Sequence, residues 1–281
     1  MQKLEKKILQ NLNDIYSYIL SPSEIKRLSN KINKLVDNNK FKNANRVNEK
    51  DIMLITYADT IKNKNEKSLS VLDTFLKKYI KNTFNLLHIL PFYPSSSDGG
   101  FSVIDFFKVD NKHGSWKDIK KLSRTYRLMV DVVLNHGSSK SKWFKNFLKS
   151  NGEGKDFFYF LENEFNTSHI VRTRSHKLLQ KYKTSTGHKY MWCTFSRDQV
   201  DFDYRNPKVL MKFISLINFI ISKGPQIFRF DAVAFLWKRE DSNCVNLDQT
   251  HAIVRLFRTI LDYNKNKCMI VTETNLPFHQ N

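Results

Sequence analysis

One alternation limits this chain more than any other feature: a short apolar run, an amphipathic helical period, then another apolar run. The runs fall at residues 53–57, 86–91, 128–134, 227–230 and 269–272. Helical periods follow at 71–79, from Ser115 to near Tyr126, from Pro207 to Ile221, and at 247–261. Strict alternation of this kind means parallel strands joined by helical crossovers. Local punctuation agrees, with Ser115 and Asp118 spaced as a helix cap and Gly224-Pro225 placed to stop the helix that Asn206-Pro207 opens. The stretch 137–201 breaks the rhythm and reads as a loop-rich subdomain inserted after the third strand. Ahead of the first strand, Leu4, Ile8, Leu12, Ile15 and Ile19 recur at helical spacing. Ser21-Pro22-Ser23-Glu24 then opens a second helix through Ile25, Leu28, Ile32 and Leu35. The expected organisation is a helical N-terminal extension over 1–48 on the outside of a main domain over 49–281.

Two of the strands end in acids. Phe228-Arg229-Phe230-Asp231 and Val271-Thr272-Glu273 each place a carboxylate at a strand's C-terminal end. Barrel enzymes keep their chemistry there, and an unpaired acid is costly to bury. Arg229 and Asp231 are two apart and share a strand face, so the guanidinium is expected to keep Asp231 ionised. Glu273 has no cation in its own segment and is expected to hold a raised pKa. One ionised and one protonatable carboxylate equip a retaining glycosidase. By spacing alone, Arg229 and Asp231 fit a structural ion pair equally well, and Glu273 fits a helix cap.

Composition narrows the function classes. A chain of 281 residues, 41% hydrophobic, can fill the core of one large domain. Cys193, Cys244 and Cys268 are scattered, which indicates neither a disulfide framework nor a zinc site. The charged opening from Met1 to Lys7 lacks the apolar core of a signal peptide, and the longest apolar run, 213–221, is interrupted by Ser215 and Asn218. The expectation is no membrane partner and a reducing cytoplasm. The net charge of +20, from 47 Lys and Arg against 27 Asp and Glu, comes from Lys on exposed-looking helix positions. It forms no basic stripe with interleaved aromatics, so no nucleic-acid partner is expected.

Several segments carry a resemblance. Asp131-Val132-Val133-Leu134-Asn135-His136, the Arg229–Asp231 segment and Glu273 resemble, in order, the first three signature regions of the α-amylase superfamily, glycoside hydrolase family 13. The segment from Leu90 through Pro91-Phe92-Tyr93-Pro94-Ser95-Ser96-Ser97-Asp98-Gly99-Gly100-Phe101 to Asp105 is similar to the sucrose phosphorylase branch. So is Trp192-Cys193-Thr194-Phe195-Ser196-Arg197-Asp198-Gln199-Val200-Asp201. That branch includes the glucosylglycerate and glucosylglycerol phosphorylases.

The resemblance implies an α/β fold, a (β/α)8 TIM barrel of the α-amylase type with a short inserted domain after strand 3, here truncated after the fifth strand. It implies a retaining α-glucoside phosphorylase that takes sucrose or a glucosylglycerate-like donor and phosphate. The alternatives are a sucrose-using transglucosidase or hydrolase, and a non-catalytic remnant. Asp231 takes the role of nucleophile and Glu273 that of general acid/base. Asp98 would grip the far hydroxyls of the bound glucose, His136 would hold a hydroxyl at the scissile bond, and Phe101 would form a stacking wall. Gln199 and Arg229 are further substrate-binding candidates, while Asp105, Asp131 and Asn135 read as structural. Calcium-binding amylases follow the nucleophile segment with Lys-His; the corresponding residues here are Ala234 and Phe235. No metal and no cofactor are therefore expected, and Phe235 is expected to line the acceptor side. The superfamily's later His-Asp pair has no counterpart in this sequence. The expectation is a partial barrel, with a second chain that supplies the missing half among the candidate partners.

Overall fold

The computed structural model describes residues 2–36, 47–263 and 268–274. Two helices come first, α1 (Gln2–Tyr16) and α2 (Pro22–Val36). Ser21 and Glu24 cap α2 reciprocally: the Ser21 N–H donates to Glu24 Oε2 at 2.8 Å, and the Glu24 N–H to Ser21 Oγ at 3.4 Å. Helix α1 stops at Tyr16, so Ile19 lies beyond the helical face and is half exposed. Next come β1 (Met53–Thr56), α3 (Ser68–Tyr79), β2 (Leu86–Ile89), α4 (Trp116–Leu122) and β3 (Arg127–Val133). Ser115 caps α4 with a full capping box through Asp118.

The stretch after β3 holds more regular structure than its periodicity suggested. It contains β4 (His136–Ser138), α5 (Lys142–Leu148), β5 (Phe160–Leu161), β6 (Leu179–Thr184), β7 (Gly187–Trp192) and β8 (Gln199–Asp201). Strands β5, β7 and β6 form an antiparallel sheet, and β4 pairs with β8. Strand β6 alternates Lys with partly buried residues and has no apolar run to read, because only one of its faces packs. Phe144, Phe147, Phe158 and Phe202 fill the space beneath.

The chain continues through α6 (Pro207–Ser222), β9 (Ile227–Asp231), α7 (Asp248–Tyr263) and β10 (Met269–Thr272). Strands β1, β2, β3, β9 and β10 form one parallel sheet in that order, with β1 and β10 at its edges. Strand β3 is buried almost throughout, as expected of a parallel strand covered on both faces. The main hydrophobic cluster runs from Leu4 to Cys268, so Ile8, Leu12 and Ile15 of α1 share the core that covers the sheet. Helix α1 lies on α7, tied by the Asn11 amide to Thr259 Oγ1 at 3.2 Å.

Alternate residues on the strands point to the opposite, inner face, where they stack in layers. Leu86, Met129 and Ile227, with Met53 and Met269 packed on them, make an apolar layer at the N-terminal end. His88, Asp131 and Arg229 make a polar middle layer, and Asp231 and Glu273 stand at the C-terminal end. Ile55 and Val271, on the inner face of the two edge strands, are 60% and 38% exposed. Among the described residues, no helix is long and apolar enough to cross a membrane.

Candidate active site

A cavity of about 220 Å³ opens at the C-terminal ends of the strands, lined by Asp98, Phe101, His136, Arg174, Phe195, Gln199, Arg229, Asp231, Ala232 and Glu273. Seven of the eight residues singled out from the sequence meet here.

The strand side is organised by one cation. Arg229 Nη1 donates to Asp131 Oδ1 at 2.5 Å and to Asp231 Oδ1 at 3.0 Å, while Nη2 lies 3.9 Å from Glu273 Oε2. Register explains the convergence, since β9 pairs with β3 on one side and β10 on the other. Asp131 is fully buried and held from its other oxygen by His88 Nε2 at 2.8 Å. The backbone fixes Glu273 as well: its Oε2 accepts from the Ala232 N–H at 2.9 Å. Ala232 has φ 53°, a left-handed conformation that costs an alanine energy and that recurs at functional sites. No feature of the sequence announces that turn.

The sequence reading of the electrostatics is corrected here. Burial pushes the Asp231 carboxyl up to about 7, and the Arg229 guanidinium only partly offsets it, with Glu273 and Asp131 adding like charge. Glu273, which has no cation in its own segment, shares Arg229 with Asp231 because neighbouring strands bring them together.

The other side is built from the loop after β2 and from the short paired strands β4 and β8. Asp98 opens a 3₁₀ turn, Asp98–Gly100, in the loop after β2, with φ 56°. Gly100 is required there, because a Cβ would stand 2.6 Å from the Pro91 carbonyl oxygen. Gln199 Nε2 donates to Asp98 Oδ2 at 2.8 Å and lies 3.1 Å from His136 Nε2. His136 is buried, and that burial pulls its pKa down to about 4, so the imidazole is neutral at pH 7. The Phe101 ring lies 5.7 Å below the Arg229 guanidinium.

Phe235, expected on the acceptor side, is not among the residues that line this cavity. It is buried behind Phe195, edge-on at 5.6 Å, in a small apolar cluster with Ala232, Ala234 and Val245. Phe235 ends the 3₁₀ turn Val233–Phe235, and Phe195 is the aromatic that lines the cavity on this side. Phe195 lies within a segment already notable in the sequence, whereas Arg174, from the loop before β6, carried no signal.

Behind His136, the buried Lys238 Nζ bonds Asn135 Oδ1 at 2.8 Å and Asp201 Oδ2 at 2.9 Å. Thr194 Oγ1 and the Asn135 amide also donate to Asp201. An internal ammonium thus ties the end of β3 to β8. Among the described residues, no group of three or more His, Cys, Asp or Glu is arranged to hold a metal ion.

The family model for the alpha amylase catalytic domain matches residues 56–280. Glucosylglycerate phosphorylase from Spirochaeta thermophila is 44% identical over 82% of this chain and 39% of its own length. Glucosylglycerate phosphorylase from Escherichia coli K12 is 36% identical over 99% of this chain and 50% of its own. The crystal structure of sucrose 6F-phosphate phosphorylase from Thermoanaerobacter thermosaccharolyticum superposes with a TM-score of 0.73 at 25% identity, covering 83% of this chain and 50% of that one. The chain spans half or less of the length of these relatives. The parallel sheet agrees with the signature segments and with these likenesses, and the chain belongs to the alpha-amylase catalytic-domain family.

Proposed function

We propose that this site serves retaining transfer of a glucosyl group between an α-glucoside and phosphate, with a glucosylglycerate-like compound as the first donor to test and sucrose the second. The observation that carries the reading is the pair of carboxylates, Asp231 and Glu273, on neighbouring strand ends, facing one cavity and sharing Arg229. Sharing one guanidinium keeps them close, which suits the roughly 5–5.5 Å separation of retaining enzymes better than the wider gap of inverting ones.

In the first displacement, the form that reacts has Asp231 ionised and the proton on Glu273: Asp231 attacks the anomeric carbon and the bond to the leaving oxygen breaks. Protonated Glu273 gives its proton to that oxygen, leaving a glucosyl ester on Asp231. A phosphate oxygen then attacks the same carbon, the Asp231 carboxylate departs, and Glu273 takes the phosphate's proton. Two inversions give α-glucose 1-phosphate with retained configuration. Asp98, His136 and Gln199 hold the sugar hydroxyls, Phe101 and Phe195 flank the ring, and Arg174 at the rim meets the anion. The three buried free cysteines fit a reducing cytoplasm as the compartment. A partner that pairs with β1 and β10, the edge strands among the described residues, belongs to the same proposal.

The test fuses this chain in frame to the C-terminal part of the Spirochaeta relative that the match does not cover, and measures glucose 1-phosphate from glucosylglycerate and phosphate. Release of glucose 1-phosphate supports the reading. Free glucose or transfer products alone would move it to a hydrolase or transglucosidase, and absence of all three would point to a non-catalytic protein.

A further inference from the structure

Asp198 is not among the lining residues of the cavity, yet its carboxylate gathers five serine hydroxyls. Oδ2 accepts from Ser96 at 2.5 Å, Ser97 at 2.6 Å and Ser102 at 2.8 Å. Oδ1 accepts from Ser139 at 2.7 Å and Ser138 at 3.2 Å. The Ser139 N–H also donates to the Asp198 carbonyl oxygen at 2.7 Å. Three of these serines sit in the loop after β2 and two at β4, while Asp198 immediately precedes β8. Three segments distant in sequence therefore converge on one anion. Burial works against its charge, but the hydroxyls outweigh burial and hold the carboxyl down at about 2.

Each segment carries a cavity residue beside its contact with Asp198. Ser97 precedes Asp98, Ser138 ends the strand that begins at His136, and Gln199 follows Asp198 itself. Asp98 is in the left-handed region, a conformation that persists when surroundings over-determine it. Hydroxyl–carboxylate bonds are short and strong for their kind, and five of them span the loops on which Asp98, His136 and Gln199 depend.

We propose that Asp198 is a positioning residue: its carboxylate clamps the loop after β2, β4 and β8 so that Asp98, His136 and Gln199 keep the single arrangement that grips the sugar. The clamp itself is independent of which reaction the site performs; its consequence for glucose rests on the glucoside reading above.

Two measurements on the 281-residue chain decide it. Hydrogen exchange is compared for wild type and Asp198→Asn, with Ser139→Ala as a milder variant should Asp198→Asn fail to fold. The expected result is about tenfold less protection at amides of residues 96–102 and 138–139, with α1 and α7 unchanged. Equal protection in wild type and variant would overturn the clamp. Glucose binding is then followed by calorimetry in wild type, Asp98→Asn, Asp198→Asn and the double variant. If Asp198 acts through Asp98, its substitution weakens binding about tenfold, and the double variant is no weaker than Asp98→Asn. Fully additive losses would refute the coupling and leave Asp198 a residue of local stability. Wild type that binds no glucose, with the exchange change intact, would break the glucoside reading and leave the clamp standing.

Discussion

On the strand side of the cavity, Asp231 and Glu273 are placed by register: two parallel strands end together, and one guanidinium reaches both acids. On the loop side, Asp98, His136 and Gln199 come from three separate connections held by hydrogen bonds to Asp198 and among themselves. The two walls also treat charge in opposite ways. Burial raises the Asp231 carboxyl to about 7, whereas hydroxyl donors lower the Asp198 carboxyl to about 2. A rigid sheet can carry a strained charge in place. The loop wall has no continuous sheet behind it, so a satisfied charge at Asp198 adds to the β4–β8 pairing and the Gln199 contacts in holding it.

The comparison breaks most readily in the chemistry. In the fused enzyme, Asp231→Asn should cut release of the leaving group by about 10³-fold or more in single-turnover assays, since no group replaces the nucleophile. Near-normal turnover would return Asp231 to the role of a structural ion-pair partner.

Arg229→Met tests what holds the strand wall. It leaves the fully buried Asp131 without its cation and should cost about 3–5 kcal/mol in denaturant melts at pH 7. A loss under about 1 kcal/mol would mean that His88 alone suffices for Asp131.

The two carboxylates should also differ in the sign of their pH dependence. Asp231 is raised when folded, so its contribution to stability is fully present below pH 4 and is lost as pH rises through about 7. Asp231→Asn should therefore be more stable than wild type at pH 8, by up to about 4 kcal/mol, with the gap closing toward pH 4. Equal pH slopes for the two proteins would show that Arg229 does keep Asp231 ionised.

Asp198 is lowered when folded, so its stabilisation is present above the unfolded carboxylate range and disappears as pH falls toward about 2. Asp198→Asn should lose about 1 kcal/mol at pH 7, a figure discounted for solvent screening of a partly exposed group, and nothing near pH 2. A constant loss across that range would assign the effect to packing instead of charge.

The smallest effect concerns metal. With Lys238 supplying the cation between Asn135 and Asp201, a chelator should leave the melting temperature unchanged. A drop reversed by added calcium would show that an ion shares that network.

Strand and helix positions in the barrel arc were legible because burial on both faces writes continuous apolar runs, as at β2 and β3. The inserted strands were not, because β6 is half solvated and alternates Lys with packed residues. Within the site, acids at strand ends stood out by their cost of burial, whereas Asp98 stood out only through the resemblance of its segment, its Gly-Gly neighbours indicating no more than a turn. Phe235 gave no local signal of its packing: it ends the 3₁₀ turn after Ala232 and is buried with Phe195, Ala234 and Val245.

The sequence by itself determined the parallel alternation, the shared strand face of Arg229 and Asp231, and the chemical identity of the groups at the strand ends. These follow from periodicity and from side-chain chemistry, both local properties of the chain. Tertiary structure alone decided which charges meet. Whether Asp231 is ionised depends on desolvation by the whole cavity wall, and whether Glu273 has a cation depends on Arg229, 44 residues earlier in the chain and brought beside it by the pairing of β9 with β10. The union of Asp198 with five serines, drawn from segments about 60 and 100 residues distant, is of the same kind. No local pattern encodes such meetings, because they are made by the folding of separate segments onto one point in space.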